Sequence, residues 1–205
     1  GRAVGVADGV GGWAELGVDS GRYSRELMDN ASLFFDSTET LDPKQALTAA
    51  YAGTAAIGTC TACVVCVSGE SLHAANLGDS GFMLLRKAAT VPDENQRGRG
   101  PQSTGGGGED VVDAGTWRMV YQTVEQQHYF NCPLQLGTNS KDRPADAQTL
   151  SVPVRPGDLV LVATDGFFDN LFINDVCAIL NSEECNALTS LTKAPQTNGA
   201  YSRRD

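Results

Sequence analysis

The fold class is decided by residues 59–86, which read TCTACVVCVSGESLHAANLGDSGFMLLR. Three apolar runs, 59–67, 71–77 and 81–86, are rich in small, β-branched and other apolar residues. Two short turns that contain glycine separate them. Apolar runs joined by such short turns predict an antiparallel meander of three strands.

Helices and further strands are predicted on both sides of the meander. Apolar residues at helical spacing predict an amphipathic helix over roughly 20–36. Asp42 as N-cap and Pro43 at the first helical position predict a second helix. After the meander, the apolar run 158–164 predicts a buried strand, and a helix is predicted with Asn174 as its N-cap.

Length and composition favour one packed domain over residues 1–205, because 41% of the 205 residues are hydrophobic. Two segments offer little apolar surface to bury, so we expect a flexible Gly-rich insertion at about 93–116 and an irregular tail at about 192–205. The formal net charge of -10 disfavours binding to nucleic acid. No run of about 18 apolar residues is present, so no membrane span is expected, and we take a monomer as the default oligomeric state.

Three of the six cysteines, Cys60, Cys63 and Cys66, form a C-x2-C-x2-C run that invites a zinc interpretation. Residues three apart in a strand point to opposite faces, so Cys60 and Cys63 are not expected to converge on one metal. We therefore interpret these cysteines as buried structural thiols of a protein from a reducing compartment. A redox role and a zinc site are the less favoured alternatives.

Carboxylates follow three of the apolar strands at the point where each strand ends. Asp8 precedes Gly9, Asp79 lies in the turn after the second meander strand, and Asp165 follows the run 158–164, with Asp169 four residues further on. Any single Asp-Gly pair is ordinary turn chemistry. Several carboxylates at one sheet edge repel one another unless cations neutralise them, and hard oxygen ligands suit Mg²⁺ or Mn²⁺. The recurrence of the pattern therefore favours a divalent-metal cluster.

Longer strings surround these carboxylates, in this order along the chain: Ala7-Asp-Gly-Val-Gly-Gly-Trp13, Gly58-Thr-Cys-Thr-Ala62, Ala75-Asn-Leu-Gly-Asp-Ser-Gly81, Glu125-Gln-Gln-His-Tyr-Phe-Asn131 and Ala163-Thr-Asp-Gly-Phe-Phe-Asp-Asn170. They resemble the metal-dependent (type 2C) protein serine/threonine phosphatases. The resemblance is greatest to the T-cell-activation-phosphatase branch, which is known from mitochondria and has plant and fungal relatives. It covers residues 3–180 apart from the Gly-rich insertion.

The resemblance implies an α+β fold, a four-layer α-β-β-α sandwich of two antiparallel sheets flanked by helices. It also implies a site for two Mn²⁺ or Mg²⁺ ions. Asp8 would bridge the two ions, the Gly9 carbonyl would bind one of them and Asp165 the other. Asp79 and Asp169 match the acidic positions of a weaker third ion. A metal-activated water would then hydrolyse phosphoserine or phosphothreonine in a phosphoprotein substrate, without a protein nucleophile.

The sequence departs from the family pattern at several points. Other members carry a general-acid His directly after the first Asp-Gly pair, where this chain has Val10. His128 is a candidate acid by its chemistry, weighed against a packing or hydrogen-bonding role. The family's first strand, with an acidic ligand and a phosphate-binding Arg, and its last strand, with a further Asp, are not found. Arg2 lies too close to Asp8 to be that Arg. The chain therefore looks as if parts of both ends of the fold are missing.

These departures keep a second function open, a pseudophosphatase that uses the same fold as a binding or scaffold module. A third interpretation takes the glycines of residues 5–12 as a nucleotide-binding loop. It is disfavoured because no G-x-G-x-x-G motif opens the helix of a βαβ unit. The branch resemblance implies an intracellular protein of mitochondria or plastids, and a cytoplasmic one otherwise.

Overall fold

The computed structural model describes residues 3–88 and 115–182. The helices are α1 (Ser20–Ser37), α2 (Pro43–Gly53), α3 (Asp165–Phe168) and α4 (Ile173–Asn181), with 3₁₀ helices at Gly11–Leu16 and Pro144–Asp146. The strands are β1 (Ala3–Gly9), β2 (Thr59–Ser68), β3 (Ser71–Leu77), β4 (Gly81–Lys87), β5 (Trp117–Gln122), β6 (Gln127–Tyr129), β7 (Cys132–Pro133), β8 (Leu136–Gly137), β9 (Gln148–Pro153) and β10 (Leu159–Ala163).

The strands form two main sheets and one separate hairpin. The first sheet has the order β1-β2-β3-β9, and β8 pairs with β2; the second has the order β10-β4-β5; β6 pairs with β7. Every one of these pairings is antiparallel, as predicted for β2 and β3. The predicted meander was wrong for its third strand, because β4 pairs with β10 and β5 rather than with β3. The turn 78–80 therefore carries the chain from the first sheet to the second.

Three buried clusters fill the spaces between four layers. The first lies between α1, α2 and the first sheet, the second between the two sheets, and the third between the second sheet and α4. Strand β2 contributes to two of them, because Val64 belongs to the first cluster and Val65 to the second. This arrangement confirms the predicted α-β-β-α sandwich.

The same alternation separates the cysteines. Cys60 lies in the cluster that faces the helices and Cys63 in the cluster between the sheets. Both are buried free thiols, as is Cys66. The prediction that Cys60 and Cys63 point to opposite faces is therefore confirmed.

Both long helices begin at an aspartate cap, of which Asp42 was predicted from the sequence. Asp19 accepts a hydrogen bond from the Gly21 N–H (2.9 Å) at the start of α1. At the start of α2, Asp42 accepts from the backbone N–H groups of Lys44 (2.9 Å) and Gln45 (3.1 Å). Burial opposes ionisation of Asp42, but these hydrogen bonds outweigh it and lower the carboxyl pKa.

The predicted N-cap of the last helix was wrong by two residues. Helix α4 begins at Ile173, and its N-cap is Phe172 rather than Asn174. The Asp175 carboxylate accepts a hydrogen bond from the Phe172 N–H (3.1 Å), so Asp175 supplies the polar group that Asn174 was expected to supply. Among the helices in the described ranges, none combines the length and apolarity needed to cross a bilayer.

An ion pair connects the two sheets at the end of the sandwich where β10 begins. Arg86 in β4 donates to both oxygens of Asp158, from Nε at 2.7 Å and from Nη2 at 2.6 Å. Nη2 also reaches the Pro153 carbonyl at the end of β9 (3.4 Å), and Asp158 accepts the Arg155 N–H (2.8 Å). The guanidinium therefore holds β4, β9 and the turn before β10 together.

The end of the predicted Gly-rich insertion takes part in strand pairing. Most of 93–116 and all of the tail 192–205 lie outside the described residues. The last two residues of the insertion, however, form backbone hydrogen bonds. The Gly115 N–H donates to the Ala88 carbonyl (3.0 Å), and the Ala88 N–H donates to the Thr116 carbonyl (2.8 Å). Gly115 and Thr116 thus extend the β4–β5 hairpin.

Candidate metal centre

Strand register brings three of the predicted carboxylates to one end of the sandwich. Gly9 at the end of β1 pairs with Cys60 at the start of β2, and Ala163 at the end of β10 pairs with Gly81 at the start of β4. The end of β3 lies at the same place, since the turn 78–80 leads directly into β4. A cavity of about 540 Å³ opens there, and its lining includes Asp8, Asp79 and Asp165.

Asp8 and Asp165 interact directly in this cavity. Burial raises the pKa of Asp8, and a side-chain hydrogen bond to Asp165 and repulsion by its charge raise it further. Hydrogen bonds from Thr164 and from the Gly9 backbone act in the opposite direction without cancelling the effect. Two carboxylates that share a hydrogen bond hold a proton between them, or a cation in its place.

Asp79, in the turn 78–80, is also affected by the charges of the neighbouring carboxylates. Burial, followed by repulsion from Asp165, Glu125 and Asp8, raises its pKa from 3.8 to about 6. The turn itself is held by a buried hydrogen bond between the Thr61 and Ser80 hydroxyls (2.7 Å). The three carboxylates are therefore fixed by the fold in positions where their charges repel.

Two glycines allow the close backbone approach that this end of the sandwich requires. A Cβ atom at Gly9 would overlap the Ser20 carbonyl at the start of α1. Gly78 has φ 98°, and a Cβ there would lie 2.6 Å from the Leu134 carbonyl oxygen. Glycine beside Asp8 and Asp79 is thus a steric requirement of the packing around the carboxylates.

The donor chemistry of the cavity fits a hard divalent cation. Its oxygen donors include three carboxylates and the backbone carbonyl of Gly9, and no Lys or Arg of the described ranges lines it. No three His, Cys, Asp or Glu side chains within those ranges converge closely enough to hold an ion by themselves. Mg²⁺ and Mn²⁺ commonly bind through one or two carboxylates and keep several waters, so the Asp8–Asp165 pair with Gly9 meets this need.

The other two predicted site residues lie outside this cavity. Asp169 is exposed one helical turn beyond Asp165, and its N–H donates to the Asp165 carbonyl (2.8 Å). His128 lines a neighbouring cavity of about 450 Å³ together with Trp13. Val10, which stands where the family has His, does line the carboxylate cavity.

Sequence analysis missed the residues that connect the two cavities. Gln135 lines both of them. Asp142 is 6% exposed and accepts hydrogen bonds from the Gln135 N–H (2.9 Å) and from His128 Nε2 (3.0 Å). Asp142 lies in a polar segment, Asn139-Ser-Lys-Asp-Arg143, that has no periodicity, so only the folded contacts reveal it.

Comparisons with known proteins find similar sequences among protein phosphatases. The family model described as Protein phosphatase 2C matches residues 17–94. The Probable protein phosphatase 2C 55 of Arabidopsis thaliana is 40% identical over 183 residues, which is 87% of this chain and 33% of that protein. The chain is similar to members of the protein phosphatase 2C family over most of its length. The PTC7 homolog fig of Drosophila virilis is 37% identical over 83% of this chain and 51% of that protein, which supports the predicted branch.

Solved structures of protein phosphatases 2C share the fold. The photosystem II phosphatase PBCP superposes with a TM-score of 0.70 and 29% identity, over 92% of this chain and 66% of that one. The catalytic domain of the phosphatase PstP, solved with two manganese ions, superposes with a TM-score of 0.55 and 16% identity, over 93% of this chain and 80% of that one. The chain thus spans about one third to one half of the curated relatives named above.

Proposed function

We propose that the protein is a Mn²⁺- or Mg²⁺-dependent protein phosphatase that hydrolyses phosphoserine and phosphothreonine in phosphoprotein substrates. The observation that carries the proposal is the convergence of Asp8, Asp79 and Asp165 on one cavity that no described Lys or Arg lines. The names of the relatives, protein phosphatases all, support it. The two manganese ions of the PstP structure support the choice of metal.

The proposed roles follow from where each residue lies. Asp8 and Asp165 are in direct contact, so they would share the ions, with the Gly9 carbonyl as a further donor. Asp79 and the exposed Asp169 would hold a weaker third ion. When bound, the divalent ions would acidify a water and offset charge on the phosphoryl oxygens. The chain's own contribution is to hold the carboxylates rigidly through β1, β10 and the turn 78–80.

The described residues supply little positive charge to the phosphate, which makes the metals central to substrate binding. The residue after the first Asp-Gly pair is Val10, so it provides neither a charge nor a proton. The role of His128 as a general acid stays a prediction, because its ring lies in the neighbouring cavity. The pseudophosphatase alternative has no support among the comparisons, since the matched relatives are named as phosphatases.

A mitochondrial or plastid location is part of the proposal. It is supported by the likeness to PTC7 homologues and to a phosphatase of photosystem II. A fluorescent fusion to the end of the complete natural protein tests it, and exclusive cytoplasmic signal would contradict it.

Activity is tested on the complete natural protein after metal removal. We expect hydrolysis of a phosphothreonine peptide with added Mn²⁺, none with EDTA, and a loss of at least about a hundredfold in kcat for Asp8→Ala. Asp29→Ala removes an exposed carboxylate of α1 far from the cavity and serves as the matched control. Calorimetry with Mn²⁺ should show weakened binding for Asp8→Ala. Full activity of that variant would overturn the proposed ligand set.

A further inference from the structure

A short hairpin presents two aromatic rings to solvent. Strands β6 and β7 are joined through a tight turn in which Asn131 has φ 56°, a left-handed conformation that Asn tolerates. Tyr129 is 71% exposed and Phe130 is 94% exposed. A turn of this kind is ordinarily polar, and neither ring contributes to the three buried clusters. The rings therefore do not stabilise the fold by burial.

The hairpin borders the carboxylate cavity. Asn131, Cys132 and Pro133 line the same space as Asp8, Asp79 and Asp165. On its other side, His128 lines the neighbouring cavity with Trp13. The hairpin thus borders both cavities, and Phe130 directly precedes Asn131, which lines the carboxylate cavity.

The base of the hairpin is anchored by several hydrogen bonds. His128 Nε2 lies 3.0 Å from Oδ2 of the buried Asp142. The Leu134 N–H donates to the Gln126 carbonyl (3.0 Å), and Gln126 Nε2 donates to the Asp146 carbonyl (3.1 Å). An anchored base with exposed aromatic residues at the tip presents a rigid apolar surface at low entropic cost.

We propose that Tyr129 and Phe130 form the docking surface for the polypeptide that flanks the phosphorylated residue, with His128 as a positioning residue for the hairpin. This inference rests on the proposed phosphatase function. A peptide whose phosphoryl group reaches the carboxylates would lie next to the hairpin, because three hairpin residues line that cavity. No described Lys or Arg lines the cavity, so contacts with the flanking chain are needed to hold the substrate. The rings select an apolar or proline side chain close to the phosphorylated residue.

The test compares two substrates of the Mn²⁺-loaded complete protein. One is a phosphothreonine peptide with proline and leucine beside the phosphorylated residue, and the other is p-nitrophenyl phosphate, which has no flanking chain. In Phe130→Ala and Tyr129→Ala, we expect the ratio of kcat/KM for the peptide to kcat/KM for the small ester to fall about tenfold, mainly through KM. Phe172→Ala removes a ring that is 69% exposed at the start of α4 and should leave the ratio unchanged.

Two variants separate positioning by His128 from acid catalysis. His128→Ala removes the contact with Asp142 and should lower the same ratio. His128→Gln keeps a donor for the Asp142 carboxylate and should restore it, with an unaltered pH dependence of kcat. A group that donates the proton would instead lose one limb of the pH profile in both variants, and that result would overturn the positioning role.

A binding measurement keeps the inference separate from the phosphatase assignment. Fluorescence anisotropy with a labelled peptide that carries a non-hydrolysable phosphonate should show about tenfold weaker affinity for Phe130→Ala than for the unmodified protein. Equal affinities overturn the docking surface whether or not the protein turns over substrate. Failure of the unmodified protein to hydrolyse either ester contradicts only the proposed activity.

Discussion

The ion pair between Arg86 and Asp158, with its two hydrogen bonds, should contribute measurably to the stability of the protein. The Asp158 side chain is 4% exposed and that of Arg86 is 17% exposed. Arg86→Met keeps most of the aliphatic stem and leaves the carboxylate buried without its main partner. Breaking a fully buried pair costs about 3–5 kcal/mol. Because Asp158 keeps the Arg155 N–H and Arg86 is partly hydrated, we expect a loss of about 2–3 kcal/mol at neutral pH.

The pH dependence of that loss follows from the carboxyl pKa. The hydrogen bond from Arg86 is the main cause that lowers the pKa of Asp158 below 3.8. A lowered pKa in the folded state stabilises the protein above the unfolded-state pKa, and the stabilisation is lost as the pH falls through the folded-state pKa. The unfolded-state pKa is common to both proteins, so it cancels in their comparison. The difference between the unmodified protein and Arg86→Met should therefore be constant at neutral pH and should shrink as the pH falls from the folded-state pKa of Asp158 in the variant to its lowered pKa in the unmodified protein.

Urea unfolding of the complete protein, followed by circular dichroism across this pH range, measures the difference. Arg25→Met is the matched control, since it breaks the ion pair with Asp19 on α1, whose partners are 64% and 60% exposed. Solvent screens that pair, so no measurable loss is expected. Equal losses for the two variants, or a difference that already decays at pH 6, would refute the reasoning.

Two further predictions concern the site and the thiols. Gly9→Ala should abolish Mn²⁺ binding in calorimetry and lower the melting temperature, because the added Cβ overlaps the backbone at the start of α1. Gly11→Ala is the control and should change neither quantity, because the space around Gly11 is open. At pH 8 and without denaturant, a disulfide reagent should modify the half-buried Cys132 and spare Cys60 and Cys63, since burial raises the pKa of each of these two thiols to about 12. Rapid modification of Cys60 in the folded protein would contradict the buried core.

The elements that could be predicted from sequence were those with a strong local signal. Strand β2 alternates apolar side chains between two faces. Asp42 and Pro43 mark a helix start, because Asp42 accepts hydrogen bonds from free backbone N–H groups and Pro43 needs no such donor. The strand ends at Asp8 and Asp165 were also readable, because each follows an apolar run. The two strands belong to different sheets, so it is the packing of one sheet on the other that brings Asp8 and Asp165 together.

The remaining features depend on contacts that sequence spacing does not encode. The pairing of His128 with Asp142 joins two polar segments that lie on either side of β8 in the sequence. The strands β6, β7 and β8 are two or three residues long, too short for a hydrophobic period to appear. The start of α4 was placed wrongly because Asp175 caps it from inside the first turn.

The alternation along β2 has a consequence for how the chain tolerates change. Val64 and Val65 are neighbours in sequence but pack in different clusters, while Val65 shares its cluster with Phe82 in the other sheet. The changes in the free energy of unfolding caused by substitutions at Val64 and at Val65 should therefore add, whereas those caused by substitutions at Val65 and at Phe82 should not. During divergence of this family, compensating pairs should accordingly link β2 to β4 across the sandwich rather than adjacent positions within β2.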